Sequence, residues 1–222
     1  MLNTARYRID YPGEFVVSES RWAKGKKTQT REWIENPIQN HHISGRAACI
    51  GSPIDHYLFD YTRLQKHRGG LLGSKRLQTY GTADIADQMR LDFVVENSQT
   101  RLDKLKTTNY QVENIVYTTS KLVVANPGEF YLLPHTPLMI NMALVLYLAA
   151  FDGHQEIYML GYNRDALFGN TDGIKQICNV FNTYAGTKFI LVGVQADQHP
   201  EFFECPNVSG LEFRPFISQC DV

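Results

Sequence analysis

From Arg46 onward, short runs of apolar and β-branched residues alternate with stretches of helical periodicity, the sequence sign of a parallel sheet covered by helices. The strand-like runs are Ala47 to Gly51, Gly70 to Gly73, Asp92 to Glu96, Asn114 to Thr118, Glu156 to Gly161 and Lys188 to Val194. Helices are expected between them at Ile54 to His67, Ala83 to Arg90, Ser98 to Lys106, Pro137 to Phe151 and Asp172 to Tyr184. The expected class is therefore α/β, a Rossmann-like, mainly parallel sheet with helices on both faces, occupying residues 46–222. Leu211 to Ile217 reads as an added edge strand, since Pro215 cannot donate to an inner ladder.

The strongest single signal is Leu138 to Phe151, an apolar run broken only by Asn141. At about 14 residues it is too short for a bilayer, which needs about 20, and it reads as a helix buried on all sides. Thr136 can cap it, Pro137 suits its first turn, and Gly153 can end it in a left-handed conformation. The first residues carry no secretory signal, so a cytoplasmic protein is expected, with no membrane contact. Cys49, Cys178, Cys205 and Cys220 form no CxxC pair or zinc spacing, and His41-His42 lacks a third ligand; reduced thiols and no metal are expected.

Residues 1–45 behave differently. Phe15 to Val17 and Thr30 to Ile34 are strand-like around a turn at Trp22 to Lys27, which together predict a β-hairpin extension. Residues 1–46 carry eight Lys/Arg against five Asp/Glu, net +3, and the remainder carries fourteen against eighteen, net -4. The hairpin tip gathers Arg21, Trp22, Lys24, Lys26 and Lys27, a mix of cations and an aromatic ring suited to nucleic acid as well as to an exposed turn.

In open parallel sheets ligands bind beyond the carboxyl ends of the strands, so the residues just after each strand are the candidates. Gly51 and Ser52 follow the first strand, where a helix N-terminus can take a phosphate. Ser74 and Lys75 follow the second and could meet a diphosphate. Glu96 and Asn97 end the third, with Ser98 placed to cap the next helix, and Thr118 ends the fourth. His135 and Thr136 open the apolar helix. Gly161, Tyr162, Asn163, Arg164 and Asp165 follow the strand after it, offering a ring for stacking and a carboxylate for base chemistry. A nucleotide accounts for such a series of polar strand ends, although ordinary strand-to-helix turns also carry such residues. No GxGxxG or GxxxxGK[ST] loop is present, so the usual dinucleotide and P-loop readings lack their motif.

From Arg46 to Val194 the order and spacing of these segments resemble the bacterial sialyltransferases that use a cytidine-monophosphate sugar, and related Rossmann-like proteins. The resemblance is carried by Ala48-Cys-Ile-Gly-Ser-Pro-Ile-Asp55, by Asp92-Phe-Val-Val-Glu-Asn-Ser98, and by His135-Thr-Pro-Leu-Met-Ile-Asn-Met142 followed by Gln155-Glu-Ile-Tyr-Met-Leu-Gly-Tyr-Asn163. It implies a glycosyltransferase in which Gly51, Ser52, Asn97, Thr136, Gly161 and Asn163 line the nucleotide of a sugar donor. The donor would be a co-substrate, with no further cofactor. The chain lacks the Gly-Asn-Gly run of the family's first turn and has no histidine between Tyr162 and Asn170. A base must then come from Asp165, His135 or Glu96, with Arg164 or Lys75 facing the departing phosphate.

The basic hairpin extends this expectation to an acceptor hydroxyl on a modified DNA base, as in phage DNA-modifying enzymes. The alternative is a non-catalytic module that keeps the fold and binds a nucleotide or a partner. A diphosphate-transferring kinase would need clustered acidic metal ligands, which the sequence lacks. The sugar, the acceptor and the oligomeric state, a homo-oligomer included, stay open.

Overall fold

The computed structural model describes residues 14–23, 26–35, 45–65, 77–134, 138–163, 166–194 and 197–221. The chain divides into two compact units, one formed by residues 1–39 and 96–138, the other by residues 40–95 and 139–222.

The larger unit holds β3 (Arg46–Ile50), β4 (Gln78–Gly81), α1 (Ala83–Ala86), β5 (Phe93–Val95), α5 (Asn141–Phe151), β8 (Glu156–Leu160), α6 (Thr171–Thr183), β9 (Lys188–Val192), α7 (Pro200–Phe203), β10 (Val208–Leu211) and α8 (Phe213–Asp221). Its strands run side by side in the order β5-β4-β3-β8-β9-β10, every ladder between them parallel. Counted along the chain, that is the doubly wound order 3-2-1-4-5-6, which leaves a topological switch between β3 and β8.

Side-chain alternation along the strands assigns the helices to the two faces. Cys49 of β3 lies beside Tyr80 and Met159 in the register, and its thiol points to Val145 O of α5 at 3.8 Å. Ile157 and Phe189 share that face, and Phe181 of α6 meets Phe189 at 4.7 Å between ring centroids. Tyr158 points to the other face, where its ring lies 5.0 Å from Phe216 of α8 and its hydroxyl donates to Gln219 Oε1 at 2.6 Å. Helices thus cover both faces, and the fold is the α/β, Rossmann-like architecture expected from the alternation.

α5 is buried from Ala143 through Ala150 and packs on β3, β4, β5 and β8. A helix with no polar stripe has no face it can leave in water. Gly153, at φ +89, ends the turn after it, the role expected from the sequence. α6 is instead amphipathic, burying Gly173, Ile177, Val180 and Phe181 on one stripe.

Three sequence expectations are corrected in this unit. The helix foreseen at Ile54 to His67 is a turn followed by a short 3₁₀ segment at Tyr61–Gln65. Asp55 Oδ1 accepts from Tyr57 N and Asp60 Oδ1 from Thr62 N, local bonds that compete with a helical ladder. α5 begins at Asn141, with Ile140 in extended backbone before it, later than the start expected at Pro137, which lies outside the described residues. The segment Leu211 to Ile217 is mostly helical, because the edge strand ends at Leu211 and Pro215 sits in the first turn of α8, where its missing N–H costs nothing. β4 was missed, and the strand expected at Gly70 to Gly73 lies outside the described residues, as does His41-His42.

The smaller unit contains the antiparallel pair β1 (Glu14–Ala23) and β2 (Lys26–Glu35), with α2 (Gln99–Thr107), α3 (Tyr110–Glu113), β6 (Ile115–Thr118), α4 (Ser120–Ala125) and β7 (Tyr131–Leu132). The hairpin pairs Glu14 with Glu35 through Ala23 with Lys26, a longer ladder than the strand-like runs expected from the sequence. α4 lies beside β1. β6 and β7 form a parallel ladder, and Asn126 links α2 to α4 by accepting from Lys106 Nζ at 3.2 Å while donating to Gln99 Oε1 and Leu122 O.

A buried polar cluster joins β4 to the turn after α5. Tyr80 donates to Asp152 Oδ2 at 2.7 Å and lies 3.0 Å from His154 Nε2, with all three side chains under a tenth exposed. The same neighbourhood, through burial first and the Asp152 charge second, pushes the Tyr184 hydroxyl up to about 12. Among the described residues no helix is long and apolar enough to cross a membrane.

Removing the Tyr80 hydroxyl takes its hydrogen bond away from buried Asp152 and from His154. Tyr80→Phe should lower unfolding stability by about 1–3 kcal/mol, read as a lower urea midpoint at unchanged m-value.

Candidate functional site

Strand exits at the switch point define the first part of the site. Gly51 N donates to Leu160 O at 2.9 Å, carrying the β3–β8 ladder one residue past the strands. Ser52 Oγ then donates to Gly161 O at 2.7 Å, so the two exit turns meet. Gly161 has φ +71, and a Cβ there would fall 2.1 Å from Ser52 O. Only glycine satisfies both the left-handed backbone and that approach.

The space left by Gly51 is occupied by the chain itself: a Cβ there would lie 2.7 Å from Met142 Cε and 2.9 Å from the Tyr162 ring. Tyr162 is fully buried and its hydroxyl donates to Met142 O at 2.9 Å. Burial pushes that hydroxyl well above its ordinary pKa, so it stays protonated. The ring is a brace between α5 and the β8 exit. Asn163 is exposed, with Oδ1 accepting from Ala166 N at 3.0 Å, which holds the turn leaving β8.

The turn after β3 runs beside a cleft of about 490 Å³ lined by His56, Asp60, Tyr61, Thr62 and Met89, among others. Tyr61 anchors it by accepting from Ile54 N at 2.8 Å, and Tyr57 stands 85% exposed, its ring 3.9 Å from that of His56. Sequence reasoning missed these residues because it read the segment as helix.

In the smaller unit, Glu96 is fully buried. Its Oε1 accepts from Asn97 N and Ser98 N, both at 2.9 Å, and its Oε2 lies 3.6 Å from Arg101 Nη1. A carboxylate therefore serves the amino end of α2 from outside the helix, while Ser98, at the cap position, makes no side-chain capping bond. Capping by Ser98 is thereby corrected: Glu96, two residues before it, accepts from both N–H groups through one oxygen. Asn97 is exposed beside it. Thr118, at the end of β6, is 1% exposed with its hydroxyl unpartnered, the one strand-end hydroxyl of the sequence series found in that state among the described residues.

The hairpin residues Arg21 and Trp22 fall in β1, with Lys26 and Lys27 in β2; Trp22 pairs with Lys27 and Arg21 with Thr28 in the register. Ser74, Lys75, His135, Thr136, Arg164, Asp165 and Lys24 lie outside the described residues. Gly51, Ser52, Gly161 and Tyr162 are thus brought together at one switch point, whereas Glu96 and Asn97 belong to the smaller unit. No cluster of His, Cys, Asp or Glu suited to a metal ion occurs among the described residues.

Replacing Glu96 isolates its capping role. Glu96→Ala should cost about 1–3 kcal/mol by removing the acceptor from two part-buried N–H groups, with Glu96→Gln recovering part of the loss in the same denaturation measurement.

Comparison with protein-family models, with curated proteins and with solved structures finds no match to this chain.

Proposed function

We propose that this chain binds a nucleotide beyond the carboxyl ends of β3 and β8 and uses it as a sugar donor, acting as a glycosyltransferase on an acceptor hydroxyl. The observation that supports the reading is the strand order of the larger unit, which puts its switch point where Ser52 and Gly161 meet. The exposed Tyr57 and His56 rings on the turn leaving β3 offer a stacking surface for a base. The absence of Walker and GxGxxG loops from the sequence argues for a nucleotide held by strand-end turns.

In this reading the acceptor proton goes to Asp165 or His135, because the Glu96 oxygens already serve Asn97, Ser98 and Arg101. Arg164 or Lys75 offsets the charge on the departing phosphate. A DNA acceptor would meet the basic hairpin through Lys24, Lys26 and Lys27.

A second reading, a non-catalytic nucleotide- or partner-binding module, is favoured by one observation. Met142 and Tyr162 fill the space beside Gly51 that a closely approaching phosphate would use.

Melting with a ligand panel separates the readings. Nucleotide sugars should raise the melting temperature more than ATP or NAD, by about 5–10 °C at 100 times Kd. Equal stabilisation by plain nucleotides, without sugar transfer, selects the module, and no shift with any of them removes the nucleotide.

The acceptor is tested separately: changing Lys24, Lys26 and Lys27 to Ala should weaken DNA binding and flatten its salt dependence by about 0.9 in log–log slope per lost phosphate contact. A parent chain that does not bind DNA takes DNA off the acceptor list.

A further inference from the structure

Within the larger unit α6 packs on α7, and the contact between them carries two cysteines. Phe181 of α6 meets Phe202 of α7 edge-on at 5.5 Å between ring centroids. Asn207, just beyond α7, donates to Phe181 O, Tyr184 O and Thr187 O, which fixes the chain after α7 against the carboxyl end of α6. On the same face of α6 as Phe181, the Cys178 thiol donates to Glu201 O at 3.8 Å. Cys205 N turns back to Phe202 O at 3.2 Å, and its thiol stands within hydrogen-bonding reach of the Cys178 thiol. Both are free thiols, Cys178 partly exposed and Cys205 buried.

The pair adjoins a cleft of about 330 Å³ between the segments that leave β8 and β9, lined by Phe168, Ile174, His199, Pro200 and Glu201, among others. Ile174 lies one helical turn from Cys178 on α6, and Glu201 is the residue whose carbonyl the Cys178 thiol meets. A bond between the two sulfurs would therefore join α6 to α7 where both border the cleft.

Burial first, then the neighbouring Cys205 and the charges of Glu201 and Glu204, push the Cys178 thiol up to about 11. The thiolate is the nucleophile in disulfide exchange, so Cys178 reacts slowly at neutral pH and faster as pH rises. Once Cys178 has reacted, the Cys205 sulfur is already beside it, at an effective concentration that an external thiol does not match. A disulfide is uncharged, so closing the pair leaves no thiolate at the buried position of Cys205.

We propose that Cys178 and Cys205 form a redox modification site, which a small-molecule disulfide closes into a reversible intrachain bond fastening α7 to α6 beside the cleft. The Cys178 thiolate attacks one sulfur of the small disulfide, whose S–S bond breaks, and the departing thiolate takes up the proton that Cys178 released. Cys205 then gives up its proton, its sulfur attacks that of Cys178, and the second small thiol leaves with that proton. The chain loses two electrons and two protons, and the small disulfide gains both as two thiols. The site goes beyond the nucleotide reading and does not rest on it.

Incubation of the full chain with glutathione disulfide tests the site. Tandem mass spectrometry of the unreduced tryptic digest, which separates Cys205 from Cys220 on one peptide, should show Cys178 joined to Cys205, with Cys49 and Cys220 free. The oxidised chain should melt about 5–10 °C higher than the reduced one, and dithiothreitol should return it to the reduced value. Between pH 7 and 9 the rate of closure should rise about tenfold per pH unit, because the thiolate fraction of Cys178 does. Cys178→Ser, at a partly exposed position, should abolish both the bond and the melting shift, and Cys205→Ala should trap glutathione on Cys178. If Cys205→Ala does not fold, the peptide map and the rate profile of the parent chain carry the test. A glutathione adduct that persists on Cys178 of the parent chain, a bond through Cys49 or Cys220 or between two chains, or no oxidation at pH 9 would each overturn the proposal. A closed pair that melts no higher than the reduced chain would overturn the fastening of α7, and a rate that levels off near pH 8 would overturn Cys178 as the attacking thiol.

Discussion

The larger unit depends on the burial of α5. Its residues from Ala143 to Ala150 have no polar face, so the helix is stable only where protein surrounds it, and β3, β4, β5 and β8 provide that cover. Burying Leu144, Val145, Leu146 and Leu148 alone contributes on the order of 10 kcal/mol of transfer free energy as an upper bound. Because α5 connects in sequence directly to β8, its placement also sets β8 against β3. The switch point between those strands follows from where this one helix must lie.

The same packing limits what the switch point can do. Tyr162, just past β8, turns inward to donate to Met142 O at the start of α5, and with Met142 it fills the space beside Gly51. A turn that looks open in sequence is closed by the helix that made it. Polar surface at the exits of the larger unit is found instead along the turn after β3 and in the cleft beyond β8 and β9.

Glu96 illustrates how a strand-end carboxylate acquires a structural task. With the backbone turning from strand into α2, two N–H groups point at one place, and a buried carboxylate three residues before the helix takes both. An equivalent serine would supply one weaker bond. The sequence placed Glu96 correctly at the end of its strand, yet a residue type suited to proton transfer is equally suited to a helix amino terminus.

The alternation of apolar runs and helical stretches determined the fold class, because strand and helix periods are local properties that water enforces along the chain. The apolar character of residues 138–151, broken only at Asn141, the stop at Gly153 and the strand that follows were legible for the same reason. The extent of the helix was not: Ile140 is extended, its N–H donating to Gln176 Oε1 of α6, a partner 36 residues away. Nor was β4, a four-residue strand whose place comes from pairing with β3 and β5 rather than from any pattern of its own. Which strand-end groups would turn inward, as Tyr162 and Glu96 do, and which would be left around a cleft, as Phe168 and His199 are, only the tertiary structure decided. Hydrophobic periodicity specifies which faces must be buried, whereas the fate of a polar side chain depends on partners that distant segments bring to it.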